Sequence, residues 1–172
     1  SVFIKIISIA LILFCGIDTS AQQTQANTET YPKAVGFISA VHPIFTKDIN
    51  GTFFNFDGSY TVGIPTGIHI IKSAKFGYSF EIVPFIKGDN DTSKISNVLI
   101  HPGVFFRLPH DWAIYTRIAF ETGGRFGLTP AISKTFYKSK NFNLFTTIPI
   151  PLRVGNGKPF SVGIGFILGF SF

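Results

Sequence analysis

The stretch PFSVGIGFILGFSF, residues 159–172, limits what this chain can fold into more than any other. Its alternate positions Phe160, Val162, Ile164, Phe166, Leu168, Phe170 and Phe172 form one apolar row, and Ser161, Gly163, Gly165, Ile167, Gly169 and Ser171 form the other. Side chains of a strand alternate between its two faces, so this is a strand with one large apolar face and one face of small residues. A strand lying on a soluble core turns long polar groups toward water on its second face. Here that face is nearly all glycine and serine. Glycine in a strand interior lowers stability and marks a place where something approaches closely, such as side chains crowding a narrow interior. Large apolar groups outside and small ones inside suit a closed barrel in lipid.

Composition agrees with that reading. The chain is 45% hydrophobic but only 14% charged, against about 25% charged in an ordinary soluble domain. Phenylalanine supplies 21 of its 172 residues, an odd choice for a surface that faces water. Near the start, Lys5 precedes an apolar run over 6–14 and a polar stretch that ends Thr19-Ser20-Ala21. This is the pattern of a secretory signal peptide over 1–21, with an apolar core too short to cross a bilayer as a helix. Cys15 follows Phe14 where lipoprotein processing needs a small residue, so cleavage is expected after Ala21. That removes the single cysteine, and with it any disulfide or thiol catalysis. Residues 22–32 read as a flexible lead. Beyond residue 21 no eighteen consecutive residues are apolar, so any crossing of a membrane by 33–172 must use strands.

Alternating apolar runs separated by turn residues predict eight strands, at 33–46, 59–71, 75–87, 97–107, 111–122, 126–137, 141–153 and 159–172. The second, fourth and sixth connections are tight, around 72–75, 108–111 and 138–141. The first and third are long, through KDINGTFFNFDGS and GDNDTSKIS, and the fifth and seventh are shorter and rich in glycine. Barrels of the outer membrane pair short periplasmic turns with longer outward loops. Aromatic girdles at both interfaces are a second mark of such barrels. Phe76, Phe106, Trp112, Phe136, Phe142, Phe170 and Phe172 fall near the tight turns, and Phe45, Tyr60, Phe120, Phe126 and Phe160 near the loops. Phe160 to Phe170 spans ten residues, roughly 33 Å of strand, or about 25 Å of height at a tilt of about 40°. The expected fold is all-β, an eight-stranded antiparallel up-and-down transmembrane β-barrel.

The chain after residue 21 resembles the small eight-stranded outer-membrane β-barrel family of Gram-negative bacteria, the OmpA/OmpX-like barrels. The terminal strand carries the most specific part of the likeness, with Ile164, Phe166, Leu168, Phe170 and a final Phe172. The resemblance implies that this pattern is the insertion signal read by the barrel-assembly machinery. It also implies a place in the cell outer membrane, in contact with its lipid and with lipopolysaccharide. Some members of such families modify lipid A, through serine or histidine nucleophiles at the membrane face.

If the apolar rows face lipid, His69, Glu81, His101, Arg107, Tyr115, Arg117, Glu121, Arg125, Tyr137 and Arg153 face the lumen. An isolated buried charge costs several kcal/mol or more, so these arginines and glutamates must pair. Eight strands leave an interior just wide enough for side chains to fill. The leading expectation is therefore a salt-bridged plug, with a structural, adhesive or small-ligand role exercised through outer loops. There TFFNFDG, residues 52–58, is unusually aromatic. The alternatives are a narrow pore for ions or small solutes, a lipid-modifying enzyme, and a soluble barrel of the lipocalin kind; the last would need its apolar residues inside. No triad-like cluster is visible on the outward rows, so neither catalysis nor a cofactor is expected. His42, His69 and His101 have no carboxylate at ligand spacing, and no phosphate loop or zinc pattern occurs, so no metal is expected. The net charge of +6 arises largely from lysines at strand ends and turns. That distribution fits lipid headgroup phosphates better than a nucleic acid.

Proline opposes the simplest barrel. Pro43, Pro65, Pro84, Pro102, Pro130, Pro149 and Pro151 all lie inside predicted strands, where each removes a ladder donor. A belt of bulges or broken pairing in the half nearer the long loops is expected, and an unbroken ladder through Pro84, Pro102 and Pro130 would contradict it.

Overall fold

The computed structural model of the chain describes residues 30–89 and 92–172. The expected signal peptide and residues 22–29 of the lead lie outside the described residues. Eleven strands follow in order: β1 (Lys33–Asp48), β2 (Gly51–Phe54), β3 (Tyr60–Gly63), β4 (Thr66–Ile71), β5 (Phe76–Asp89), β6 (Thr92–Arg107), β7 (Trp112–Glu121), β8 (Arg125–Lys138), β9 (Asn143–Pro149), β10 (Leu152–Gly155) and β11 (Lys158–Ser171). All pairings are antiparallel, and sequence neighbours pair except at β2/β3, β3/β4 and β9/β10. On one side β1 meets β2, β3 and β4 in turn. On its other side it meets β11, from Phe37 opposite Ser171 to Lys47 opposite Val162. The circuit of pairing thus returns to the strand on which it began.

The count of eleven corrects the expected eight, and proline explains most of the difference. The run expected at 59–71 is cut into β3 and β4 at Ile64-Pro65, and that at 141–153 into β9 and β10 at Ile150-Pro151. The remaining addition, β2, folds the aromatic stretch after Gly51 back onto the end of β1, with Phe54 opposite Phe45. The third connection also differs from its expected long loop, because β5 runs to Asp89 and β6 begins at Thr92. Backbone hydrogen bonds do not need an apolar face. Exposed Ser93 and Lys94 sit in the ladder opposite Gly88 and Lys87.

The prolines are accommodated one side at a time. Pro84 and Pro102 both lie within the unbroken part of the β5–β6 register, from Phe76 to Phe85, opposite Val98 and Phe80, and the register shifts between Phe85 and Ile86. Pro130 likewise lies within the continuous β7–β8 register, opposite Thr116. On the other flank of each strand the ladder lapses. The β6–β7 pairing skips from Ile100 to Gly103, and the pairings of β8 skip from Leu128 to Ala131. A strand residue turns its N–H and C=O toward one neighbour, so a missing donor weakens only that side. The proline carbonyls remain in use there: Ser39 donates to Pro65, Ile64 to Pro84, Ile150 to Pro130 and Gly163 to Pro151, at 2.9–3.1 Å. The expected belt of interruptions therefore exists as lapsed pairing on one flank of each strand, and on the other only as register shifts beside Pro43 and Pro84.

Burial follows the period-two pattern closely. On β7, Tyr115, Arg117 and Ala119 are buried while Ile114, Thr116, Ile118 and Phe120 are exposed. On β11, Ser161, Gly163, Gly165, Ile167 and Gly169 are buried between exposed Phe160, Phe166, Leu168 and Phe170. The small row is small because its space is taken. A Cβ on Gly169 would stand 2.4 Å from Ser39 Cβ and 2.7 Å from Phe145 Cζ. The connection after β10 is a hairpin turn with Asn156 (φ 57°) and Gly157 (φ 64°) both left-handed, the conformation that Asn-Gly favours.

Candidate functional site

The chemistry-bearing side chains lie inside the ring of strands. Alternation puts Ala113, Tyr115, Arg117, Ala119 and Glu121 of β7 on its inner row, from the tight-turn end to the loop end. Near the loop end, Glu121 accepts hydrogen bonds from Arg153 Nε at 2.7 Å and from Asn97 Nδ2 at 2.9 Å. Arg153 Nη1 also donates to Thr129 Oγ1 at 3.0 Å and to the Leu128 carbonyl at 3.1 Å. Arg125 Nη2 donates to the carbonyls of Arg153 and Pro159 and to Ser161 Oγ. This guanidinium thereby ties β8 to β10 and β11.

Further along, Glu81 of β5 binds His101 Nδ1 of β6 at 2.7 Å and lies 3.7 Å from Arg117 Nη2 of β7. Arg117 Nε donates to Ser79 Oγ at 3.1 Å, and its guanidinium lies 4.5 Å from the centre of the Tyr115 ring. These groups are buried, so the carboxylate is compensated by a cation and a hydrogen bond, as an interior charge requires. Val41, Val83, Leu99, Ala119 and Ile167 form an apolar cluster, with Phe85 and Phe145 packed against it. Only about 10 Å³ remains open beside Glu81, Tyr115 and Arg117.

Toward the tight turns the filling stops at a layer of rings. His69 stacks on Phe37 at 4.5 Å and lies 5.0 Å from Phe105 and 5.5 Å from Tyr115; Phe105 stacks on Tyr115 at 5.2 Å. Beyond them a cavity of about 390 Å³ opens between Arg107, Trp112, Ser133, Lys138 and Phe172. Arg107 Nη1 donates to the Tyr31 hydroxyl at 3.4 Å at this end. Asp111 and Lys138 form an ion pair beside it.

The proposed lumen residues thus fall into two linked groups and a rim. Glu81, His101, Arg117 and Tyr115 make one group, Glu121 and Arg153 the other, and Arg107 lines the open cavity. Tyr137 departs from its expected inward place. It is 50% exposed and lies against Phe142, because a register shift between Thr135 and Tyr137 inverts the alternation. Of the expected girdle, Phe136, Phe142, Phe170 and Phe172 are exposed, while Phe76 and Trp112 are half-buried. Phe76 lies 5.3 Å from Phe106, and Lys134 stands 5.3 Å over the Trp112 ring. The outward row of β11 holds Phe166, Leu168 and Phe170 of the expected insertion signal, and Phe172, also exposed, follows just beyond the strand at the rim of the cavity. Among the described residues no three His, Cys, Asp or Glu side chains gather as a metal-holding group.

Sequence reasoning passed over Asn97, Ser79 and Thr129, which complete the polar groups. It also missed Ser133 and Thr147, whose hydroxyls bond to each other at 2.8 Å. All but one lie in phase with a named lumen residue of the same strand, so the same alternation would have found them. The exception, Thr147, is separated from Arg153 by the break at Ile150-Pro151.

No family model and no curated protein matches the chain. Among solved structures it is similar to the de novo designed protein TMB2.3, determined in solution by NMR, with a TM-score of 0.50 and 10% identity over 82% of this chain and 93% of that one. A second similar structure comes from the de novo design of transmembrane β-barrels, with a TM-score of 0.47 and 12% identity over 84% of this chain and 98% of that one. At such identity the likeness speaks for the fold alone. The chain is an all-β antiparallel protein with the fold of a β-barrel.

Proposed function

We propose that this chain is an integral outer-membrane β-barrel protein of a Gram-negative cell envelope. In this reading β2, β3 and β4, which meet β1 in turn, count as one stave and β9 and β10 as another, so that eight staves close the barrel. Residues 1–21 direct export, and the barrel-assembly machinery reads the row from Phe166 to Phe172. The lumen is plugged by side chains, and the role of the protein is structural, adhesive or ligand-binding, without catalysis.

The observation that carries this reading is the inversion of inside and outside. Ile114, Ile118, Leu128, Ile132 and Leu168, each 43–51% exposed, belong to an outer surface of large apolar groups, while Glu81, Arg117 and Arg153 are buried. A water-soluble protein rarely exposes a continuous apolar area of more than a few hundred Å². In lipid the same surface is the favourable one, and a polar interior is the rule for such barrels. The non-catalytic role is supported by the engagement of the interior groups: His101 is bonded to Glu81, and the Ser133 and Thr147 hydroxyls to each other. The first outer hairpin supports a contact role, since Ile49, Phe53 and Phe56 project from it at 86%, 55% and 70% exposure.

The test is to express the chain in a Gram-negative host, extract the outer membranes, and run the protein on a denaturing gel with and without boiling. A membrane-extracted band that changes mobility on heating, with no conductance above background in planar bilayers, is the expected result. Steady channel conductance would replace the plug with a pore. A soluble protein with no mobility shift would overturn the membrane reading.

A further inference from the structure

We propose that the cavity at the tight-turn end is a binding site for a small organic anion with a flat apolar body. It has the size of a small-molecule pocket, about 390 Å³, within the ordinary range of roughly 300–1,000 Å³. Unlike the rest of the interior, it is not filled by side chains of the described residues.

Its lining is divided between the two ends a ligand of this class possesses. The floor is aromatic, with Phe105 stacked on Tyr115 at 5.2 Å and His69 beside both. Flat apolar groups pack on such rings in offset or edge-on contact. The mouth is cationic: Lys33, Arg107, Lys138 and Lys140 line it against one carboxylate, Asp111, which is itself paired with Lys138. A cleft lined by one sign of charge with low-dielectric walls concentrates ligands of the opposite sign.

His69 gives an independent indication. Its ring lines the cavity, and its Nε2 is shielded from solvent without a hydrogen-bond partner among the described residues. Buried polar atoms of a native protein are nearly always partnered, so this nitrogen calls for a water or a bound group, as do His101 Nε2 and Arg125 Nε elsewhere in the interior. The arrangement belongs to the inside of the ring and holds whichever membrane surrounds it.

Trp112 lines this cavity and is the single tryptophan of the chain, so its fluorescence reports on the site directly. Protein recovered from expressing cells in mild detergent would be titrated with 4-phenylbutyrate, and in parallel with 4-phenylbutanol, which has the same body without the charge. The expected result is a saturable change with the acid and binding of the alcohol weaker by about tenfold, the scale of a few exposed charge contacts. In the double variant Lys33→Gln, Lys140→Gln the acid should weaken roughly three- to tenfold toward the alcohol, which itself stays unchanged. His69→Phe should weaken the acid while the heat-dependent gel shift persists. Equal affinity for acid and alcohol, no saturation, or a double variant that binds the acid as before would each overturn the proposal. The gel shift on the same samples reports the barrel separately from the site.

Discussion

At the loop end of the interior, Glu121 takes hydrogen bonds from Arg153 and Asn97, and Arg125 spans three strands to carbonyls and a hydroxyl. At the tight-turn end the same strands turn Ala113, Ser133 and Thr135 inward and leave about 390 Å³ open behind a cationic mouth. The ring of strands is common to both, so the difference lies in the side chains. Where an arginine meets a glutamate, charge and volume are consumed together. Where lysines extend from strand ends with small residues beneath them, volume is left over, and one carboxylate, Asp111, stands among several cations. One end of the interior is therefore a support for the fold, and the other is a place where something else can be held.

The comparison breaks most readily at Arg117. Replacing it with methionine leaves Glu81 buried with His101 alone, and removal of one partner from a buried ion pair costs about 3–5 kcal/mol. Urea titration of the folded gel band in lipid should read that loss, and a loss below about 1 kcal/mol would mean that the filled region is not held by its charges. Next in size is Ile118→Arg, on the outer face and 49% exposed. In a bilayer it should lower stability by about 2–4 kcal/mol, whereas a soluble barrel would accept it with little change.

A matched pair on β7 sharpens the contrast between the two regions. Ala119 is fully buried in the apolar cluster, and leucine there should cost about 1–3 kcal/mol through overpacking. Ala113 lines the cavity, and leucine there should change stability by no more than about 0.5 kcal/mol while reducing the binding of 4-phenylbutyrate. Equal costs at the two positions in the same urea titration would show that the interior is uniform.

Much of this was legible in the sequence, for identifiable reasons. Alternation alone located β7, expected at 111–122 and found at Trp112–Glu121, and β8, expected at 126–137 and found at Arg125–Lys138. Strands of that kind bury one face, which fixes their phase. Alternation also put Glu81, His101, Arg117 and Arg153 on inner rows. It could not say that Glu81 would choose His101 and Arg117 while Glu121 chose Arg153, because those choices depend on registers between strands. The phase at Tyr137 was misread where a bulge inverted it, and a bulge leaves no periodic mark. The prolines marked the cuts at Pro65 and Pro151 but not which neighbour would lose its ladder.

The sequence by itself determined the class of protein: strands with large apolar groups on one face and small or charged groups on the other, and more phenylalanine than a wet surface allows. That information is local, because side-chain alternation is a property of each strand separately. Only the tertiary structure decided that β1 meets β11, that the interior charges form two separate groups, and that one end stays open. Those outcomes depend on stagger between strands distant in sequence, which sets the inner side chains that share a level and the volume left among them.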